Sequence, residues 1–378
     1  MVSIYPDQRE GCFESGRVGK GKSSMTPELQ KAYELATLPF IDGAIGVAET
    51  RLRSWRYFLE CNSLCNLHCP TCTKGNQEGY EHLTGIMDPE LMEKILDKIK
   101  SENPNAIVFL YGNSEPMLHP KLPECIASIK RRGLNAQLST NLNFVRRLDE
   151  LLAAAPDFII ISLSGFTQDI YVRGHAGGNI EKVKDNMRLI AEANAKIGQK
   201  VKIAVNYHIY NDNEHEIPLM KEYATNLGLE FFTSFARAIS MENAIQYCRL
   251  HDPEATPFEI QEGRPDWNKA LPPSGKIYQD VMERLLIPPT EARVMYKAIP
   301  VADHCPVGAG GMFTFIRHDG KTSMCACVAD RRITVGDYLD TTPEQMIEQR
   351  TGHAICKQCL KYRTNLYFHI VDHKKWTP

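Results

Sequence analysis

The chain is short of several features that would point to particular functions. No apolar run approaches the about 20 residues that a membrane span requires. The longest candidates, Ile107–Leu110 and Phe158–Ile161, are strand-sized, so no membrane partner is expected. Residues 1–30 are polar and contain no apolar core of the kind a signal peptide needs, which points to the cytoplasm. Excess charge of one sign is also missing. A formal charge of −2 argues against a surface built for phosphate backbones, and nucleic acid is not expected as a partner. No internal repeat or low-complexity tract interrupts the chain. Its 43% hydrophobic and 24% charged residues are ordinary for a globular protein with an ample core.

Cysteine is the residue present in excess. Twelve cysteines stand in 378 residues, and they are clustered. Four lie from Cys61 to Cys72 and five from Cys305 to Cys359, whereas Cys12, Cys125 and Cys248 stand apart. A reducing compartment disfavours stable disulfides, so clustered thiols there point first to metal or catalysis. The three isolated cysteines read as buried thiols.

The organisation between these clusters is regular. Residues 1–50 read as an N-terminal extension. Strands are expected at Trp55–Glu60, Ala106–Tyr111, Asn135–Ser139, Asp157–Ser162, Val201–Tyr207 and Leu229–Ser234. Helical patterns fill 88–101, 121–132, 146–154, 179–198 and 214–227, with Asp88–Pro89 and Asn179 offering helix-start chemistry. Strands alternating with helices of this length imply parallel βαβ units over residues 51–235. Periodicity alone leaves a partial barrel and an open doubly wound sheet equally open. Prolines cluster across 236–300, which reads as a linker with one helix near Tyr278–Leu285. Residues 301–365 form a short cysteine-rich module, too small to build much core alone, and 366–378 a tail.

The first cluster reads Cys61-Asn62-Ser63-Leu64-Cys65-Asn66-Leu67-His68-Cys69-Pro70-Thr71-Cys72 and follows the first strand directly. Its thiols therefore emerge at the C-terminal edge of the sheet, where α/β folds carry their chemistry. Thiolates are soft ligands suited to zinc or to iron–sulfur clusters. The spacing Cys65-x3-Cys69-x2-Cys72 resembles the signature of the radical S-adenosylmethionine (SAM) superfamily. That resemblance implies a partial (βα)6 barrel, with these three cysteines holding a [4Fe–4S] cluster whose fourth iron is left for SAM. Cys61 falls outside the motif, because a register starting there would put His68 where the third cysteine belongs. Thr71 replaces the aromatic residue that usually precedes the last cysteine of the motif.

Other strand ends carry the same resemblance. Gly112-Asn113-Ser114-Glu115-Pro116 is similar to the family's Gly-Gly-Glu-Pro segment, which implies that Glu115 and nearby backbone carbonyls receive the SAM ammonium. Ser139 and Asn141 after the third strand, and Ser162 and Ser164 with Gly165 after the fourth, occupy positions the family uses near the methionine and ribose parts. Tyr171-Val172-Arg173 matches a recurring Tyr-x-Arg stretch, with Arg173 a candidate for a carboxylate of SAM or substrate.

The C-terminal module carries Cys305, then Gly320-x4-Cys325, Cys327, and Cys356-x2-Cys359. It resembles the auxiliary-cluster modules called SPASM and twitch domains, and the shorter twitch type is the better match because no cysteine follows Cys359. The resemblance implies a second [4Fe–4S] cluster held by Cys305, Cys325, Cys356 and Cys359, with Cys327 the rival of Cys325. A structural zinc site is the alternative.

The expected activity is abstraction of hydrogen by a 5′-deoxyadenosyl radical from a small polar biosynthetic intermediate, such as a sugar or an aminocyclitol. A net two-electron oxidation is favoured, with a reductant such as flavodoxin or ferredoxin supplying electrons. A redox-neutral epimerase or lyase, in which Cys248 would return a hydrogen atom, is a second reading; a peptide-modifying maturase is a third. A non-catalytic iron–sulfur or zinc scaffold is the alternative from a different class.

Overall fold

The computed structural model describes residues 56–72, 74, 84–237, 241–250, 276–290, 305, 313–325, 328, 333–362 and 364–369. The expected extension, most of the proline-rich linker, the tail beyond His369 and Cys327 lie outside these residues.

Six parallel strands occur where the alternating pattern places them: β1 (Arg56–Leu59), β2 (Ile107–Phe109), β3 (Asn135–Thr140), β4 (Phe158–Leu163), β5 (Lys202–Ile209) and β6 (Glu230–Phe235). They lie side by side in chain order. Among these six the strand order does not reverse; the direction changes only where a later strand joins the other side of β1. Crossovers of one hand, all proceeding in one direction, lay every helix on the same face. Burial agrees with that geometry. Leu59, Val108, Leu138, Ile161, Val205 and Tyr207 on one face are wholly buried. On the other face, register aligns Phe58, Phe109, Gln137, Ser162 and Asn206, several of them only half-buried.

The covering helices begin as their sequences direct. In α1 (Pro89–Glu102) the Asp88 carboxylate accepts from the amides of Glu90 and Leu91, both at 3.0 Å, and Pro89 occupies the first turn. Met92, Ile95, Leu96 and Ile99 then recur at helical spacing and are buried. Next come α2 (Leu122–Arg131) and α3 (Leu148–Ala153). The short α4 (Gln168–Gly174) precedes α5 (Ile180–Lys196), and α6 (Ile217–Asn226) follows β5. In α5 the Asn179 side chain caps the Lys182 amide. The helix α4 is absent from the sequence-based expectation. It has no local side-chain cap; its N-terminal end is satisfied by buried Glu216, which accepts from the amides of Phe166 and Thr167 and from the Thr167 hydroxyl.

Beyond β6 lie α7 (Met241–Leu250) and α8 (Lys276–Arg284). The chain then returns as β7 (Phe313–Ile316), parallel to β1 on its other side, followed by antiparallel β8 (Lys321–Ser323) and β9 (Thr334–Asp337). The cysteine-rich segment thus shares the sheet of the preceding strands. Its helices are α9 (Pro343–Gly352), α10 (Ala354–Lys361) and α11 (Thr364–His369). Among the described residues, no helix is long and apolar enough to cross a membrane.

Helix α1 clamps the end of β9. Lys98 Nζ donates to the carbonyls of Tyr338, Leu339 and Thr341 at 2.5, 3.1 and 2.9 Å. Glu102 Oε2 accepts from the hydroxyls of Tyr57 and Tyr338 at 2.9 and 2.7 Å. Replacing Lys98 by Met takes the donor from three carbonyls at once, and we expect it to cost about 1–3 kcal/mol in urea unfolding. Exposed Lys94→Met on the same helix should stay within about 0.5 kcal/mol; equal effects of the two substitutions would refute the clamp.

Candidate active site and thiol clusters

Because the strands run parallel, their C-terminal ends share one edge, and the cysteine loop crosses it. Four contacts pin the loop there, and a fifth orders it internally. Asn62 Nδ2 donates to the Glu115 carbonyl (3.2 Å), while Asn62 Oδ1 accepts from the Leu64 amide (2.7 Å). The Glu115 amide donates to the Leu64 carbonyl (2.7 Å), and the His68 amide to the Ala176 carbonyl (2.9 Å). Asn141 Nδ2 donates to Asn66 Oδ1 (3.0 Å). The loop is therefore fastened to the ends of β2 and β3 and to the segment after α4.

Within it, Cys65, Cys69 and Cys72 are half-buried and act on one another. Burial pushes the Cys65 thiol up to about 11, and Cys72 adds to the rise. Cys69 is held well above the ordinary thiol range by burial and then by Cys72 and Cys65. Cys61 is placed differently, wholly buried in the core, where burial and then Cys125 raise its pKa. Cys125 in turn packs its sulfur 3.8 Å from His119 Nδ1. Three crowded, half-open thiols suit a cationic multi-iron centre, whose charge would reverse the rise in their pKa values. A single tetrahedral ion would need its sulfurs about 2.3 Å from one point. Among the described residues no three His, Cys, Asp or Glu side chains close around one such position.

Glu115 is the joint between the strand ends. It is 2% exposed and caps a single turn, Pro116–Leu118. Its Oε1 accepts from the Met117 amide (2.9 Å) and Thr140 Oγ1 (2.7 Å), and its Oε2 from the Asn141 amide (2.7 Å). Burial pushes its pKa up to about 7 against these three donors. A carboxylate has about four acceptor positions, so room for one further donor remains. Beside it, Gly112, Asn113 and Ser114 are half-buried. Any side chain at Gly112 would meet the Phe315 ring on β7, since a Cβ there would lie 2.4 Å from Phe315 Cζ.

The inner face of the sheet is divided. Phe58 stacks on Phe109 (centroids 4.9 Å apart) and on Phe315 (6.0 Å), making an aromatic wall over β7, β1 and β2. A polar strip covers β3 to β6. The Ser139 and Ser162 hydroxyls are 2.8 Å apart, Ser234 Oγ donates to Asn206 Oδ1 (2.8 Å), and Asn206 Nδ2 approaches His208 Nε2 (3.4 Å). Ser164 is buried and engaged by His175 Nδ1 at 2.8 Å. Gly165 permits the α4 backbone to approach, because a Cβ there would lie 2.5 Å from the Tyr171 amide nitrogen.

The remaining candidate residues fall elsewhere. Arg173, in the last turn of α4, is half-exposed and ion-pairs with Asp212 (3.2 Å), which also binds Arg284. Cys248 is wholly buried in the core on α7, a helix packed against α10 and α11. In the C-terminal segment, Cys356 and Cys359 are three residues apart on α10 and Cys325 follows β8. Burial, then Cys325 and Cys305, raise Cys356 to about 12. Cys359 is raised by burial and by Cys305, Cys325 and Cys356. Cys356 and Cys359 are therefore each within electrostatic reach of Cys305 and Cys325.

Sequence reasoning missed His175 and Asn143. The His175 ring stacks on Tyr171 (5.0 Å, 8°), whose hydroxyl accepts from Asn143 Nδ2 at 2.7 Å. The four-residue spacing of Tyr171 and His175 was the available signal, legible only once α4 is known to be helical. Burial pulls the His175 pKa down to about 3. The unfolded chain binds this proton near the ordinary pKa of about 6.5, so the stability contribution is complete above that pH and falls as pH drops toward 3. Unfolding free energies from urea titration should decline over this window by up to about 1.4 kcal/mol per pH unit. We expect His175→Gln to flatten that slope; an unchanged slope would place the acid sensitivity elsewhere.

Residues 59–223 match the radical SAM superfamily model. The chain is 30% identical over 179 residues to a tungsten-containing aldehyde ferredoxin oxidoreductase cofactor-modifying protein of Pyrococcus furiosus, covering 46% of this chain and 49% of that protein. It is 26% identical over 216 residues to a probable GTP 3′,8-cyclase of Methanococcus maripaludis, covering 56% and 67% respectively. The chain therefore spans about half the length of the first relative and two thirds of the second. The crystal structure of Streptococcus suis SuiB bound to precursor peptide SuiA is similar with a TM-score of 0.49 at 12% identity, covering 87% of this chain and 72% of that one.

Proposed function

We propose that this protein, whose residues 59–223 are a radical SAM domain, is an enzyme that removes hydrogen from an unactivated carbon of a small polar substrate. The observation that carries the reading is the mutual approach of Cys65, Cys69 and Cys72 on a loop pinned at the strand ends, with Cys61 withdrawn into the core. When bound, a [4Fe–4S] cluster and SAM supply a 5′-deoxyadenosyl radical. Cys65, Cys69 and Cys72 would hold that cluster and SAM at the strand ends. The fourth acceptor position of Glu115, with the carbonyls of Gly112, Asn113 and Ser114, receives the SAM ammonium. Ser139, Asn141, Ser162 and Ser164 face or brace the methionine and ribose parts. The polar strip over β3 to β6 supports a sugar- or aminocyclitol-like substrate, and a GTP cyclase among the relatives is in keeping with a small-molecule one.

The proposed reaction is a net two-electron oxidation. With these groups bound, the substrate would give one hydrogen atom to the 5′-deoxyadenosyl radical, forming 5′-deoxyadenosine; Cys305, Cys325, Cys356 and Cys359 would hold the cluster that could accept the second electron, with the proton released to solvent. Four thiolates leave that cluster no open iron for substrate, which suits it to electron transfer. A flavodoxin or ferredoxin would supply the priming electron.

Anaerobically reconstituted protein should hold about eight irons, two clusters of four, and a Cys65/Cys69/Cys72 triple alanine variant about half. Zinc in place of iron in that variant would favour a structural site. With substrate, reduction should yield 5′-deoxyadenosine and a product about two mass units lighter, since oxidation removes two hydrogens. A product of unchanged mass carrying one solvent deuterium would overturn oxidation in favour of epimerisation.

Glu115→Gln offers a separate check. Its amide would set an N–H group against the amide of Met117 or Asn141, where both native carboxylate oxygens accept. Iron content should be retained while SAM affinity measured by calorimetry falls at least about tenfold, the loss of one charge-assisted hydrogen bond. Unchanged affinity would remove Glu115 from the SAM site.

A further inference from the structure

Asn143, Asn141 and Asn66 form a chain from the end of β3 to the cysteine loop, and its hydrogen bonds fix which way each carboxamide faces. The Asn179 amide donates to Asn143 Oδ1 (2.7 Å), and the Asn143 amide donates to Asn141 Oδ1 (2.9 Å). A backbone amide can only donate, so oxygen is the acceptor at both positions. Asn141 Nδ2 is therefore the end that meets Asn66, and it donates to Asn66 Oδ1 at 3.0 Å. The other end of Asn66, Nδ2 with its two N–H groups, meets no protein acceptor among the described residues.

The turn that carries Asn141 cannot readily reverse this polarity. Leu142 is wholly buried at a φ of 52°, a left-handed conformation unfavourable for leucine. It is held there by its amide on Thr140 Oγ1 (2.9 Å) and by Asn186 Nδ2 on its carbonyl (2.8 Å). Thr140 Oγ1 and the Asn141 amide are also two of the three donors to Glu115. One turn thus fixes an acceptor, the Glu115 carboxylate, and through Asn141 a pair of donors on Asn66. Asn66 is half-buried and directly follows Cys65. The two poles of an α-amino acid, an ammonium that donates and a carboxylate that accepts, complement this pair. Arg173, the residue expected to meet such a carboxylate, is instead half-exposed and paired with Asp212.

We propose that Asn66 donates its amide N–H groups to the methionine carboxylate of SAM, with Asn141 the positioning residue that sets its polarity. The proposal rests on the reading of Glu115 as acceptor of the SAM ammonium. Glu115 and Asn66 then hold the two poles of one amino-acid end. Both ends of the Asn141 carboxamide are engaged by the protein, so Asn141 orients its neighbour.

The test measures iron content and SAM affinity by calorimetry on full-length, anaerobically reconstituted protein. Asn66→Asp keeps an oxygen for Asn141 Nδ2 and replaces the N–H pair by a second oxygen. Asn141→Asp sets an oxygen against Asn66, which turns the N–H pair of Asn66 inward and its Oδ1 outward. Each variant adds a negative charge, whereas SAM, with a sulfonium, an ammonium and a carboxylate, is a net cation. A general field effect would therefore tighten binding, and only an oxygen set against the carboxylate weakens it. We expect iron retained and SAM affinity lowered at least about tenfold in both variants, the loss of a hydrogen bond to a charged group. Unchanged or tighter binding in either variant that holds iron, or loss of iron from both, would overturn the proposal in favour of a purely structural chain. Failure of the unaltered protein to bind SAM, or unchanged affinity in Glu115→Gln, would instead defeat the reading on which it stands.

Discussion

Strand β1 has a parallel neighbour on each side, β2 and β7, and most of what is distinctive in this protein follows from that double pairing. A strand hydrogen-bonded on both edges has little freedom to shift. Its C-terminal end is consequently a fixed origin for the cysteine loop that leaves it. The same pairing brings the cysteine-rich C-terminal segment to the sheet, since β7 reaches β1 after a long excursion in sequence. Both thiol sets are thus referred to one rigid frame. If an electron passes between substrate and the second set, this shared sheet is what keeps the path constant.

The second theme is how buried charge and polar valence are managed. Glu115, Glu216 and Glu102 are each withdrawn from water to a large extent, and each bonds groups far away in sequence. Glu115 joins the end of β2 to the end of β3 beneath the cysteine loop. Glu216 closes the N-terminal end of α4. Glu102 joins β1 to the end of β9 through two tyrosine hydroxyls. Such groups are costly when unpaired, so each specifies one arrangement of the elements it links.

The divided inner face bears on chemistry as well as packing. Its aromatic wall fills the β7–β1–β2 side and closes on Gly112, which narrows the space beside the loop after β2. The polar strip keeps hydroxyl, amide and imidazole groups on the β3–β6 side. A surface dry on one side and hydrogen-bonding on the other can orient a polar molecule while excluding bulk water, as radical chemistry requires.

Much of this was legible in the amino-acid sequence. The six strands and their long helices follow from hydrophobic periodicity and from caps such as Asp88 and Asn179, signals contained within a few residues. The Cys65, Cys69 and Cys72 spacing is likewise local, and so is the three-residue step of Cys356 and Cys359 on one helix. Tertiary structure decided the rest. The unbroken order of the first six strands, β7 beside β1, and Cys61 against Cys125 are long-range pairings that no local pattern encodes. So are the three donors around Glu115, and the helix α4, whose seven residues depend on Glu216 from beyond β5. Asn66 reads in sequence as one more polar residue of the cysteine loop. Only folding sets Asn141 against it and so fixes its polarity, because a side chain acquires distant partners from packing and not from its own segment.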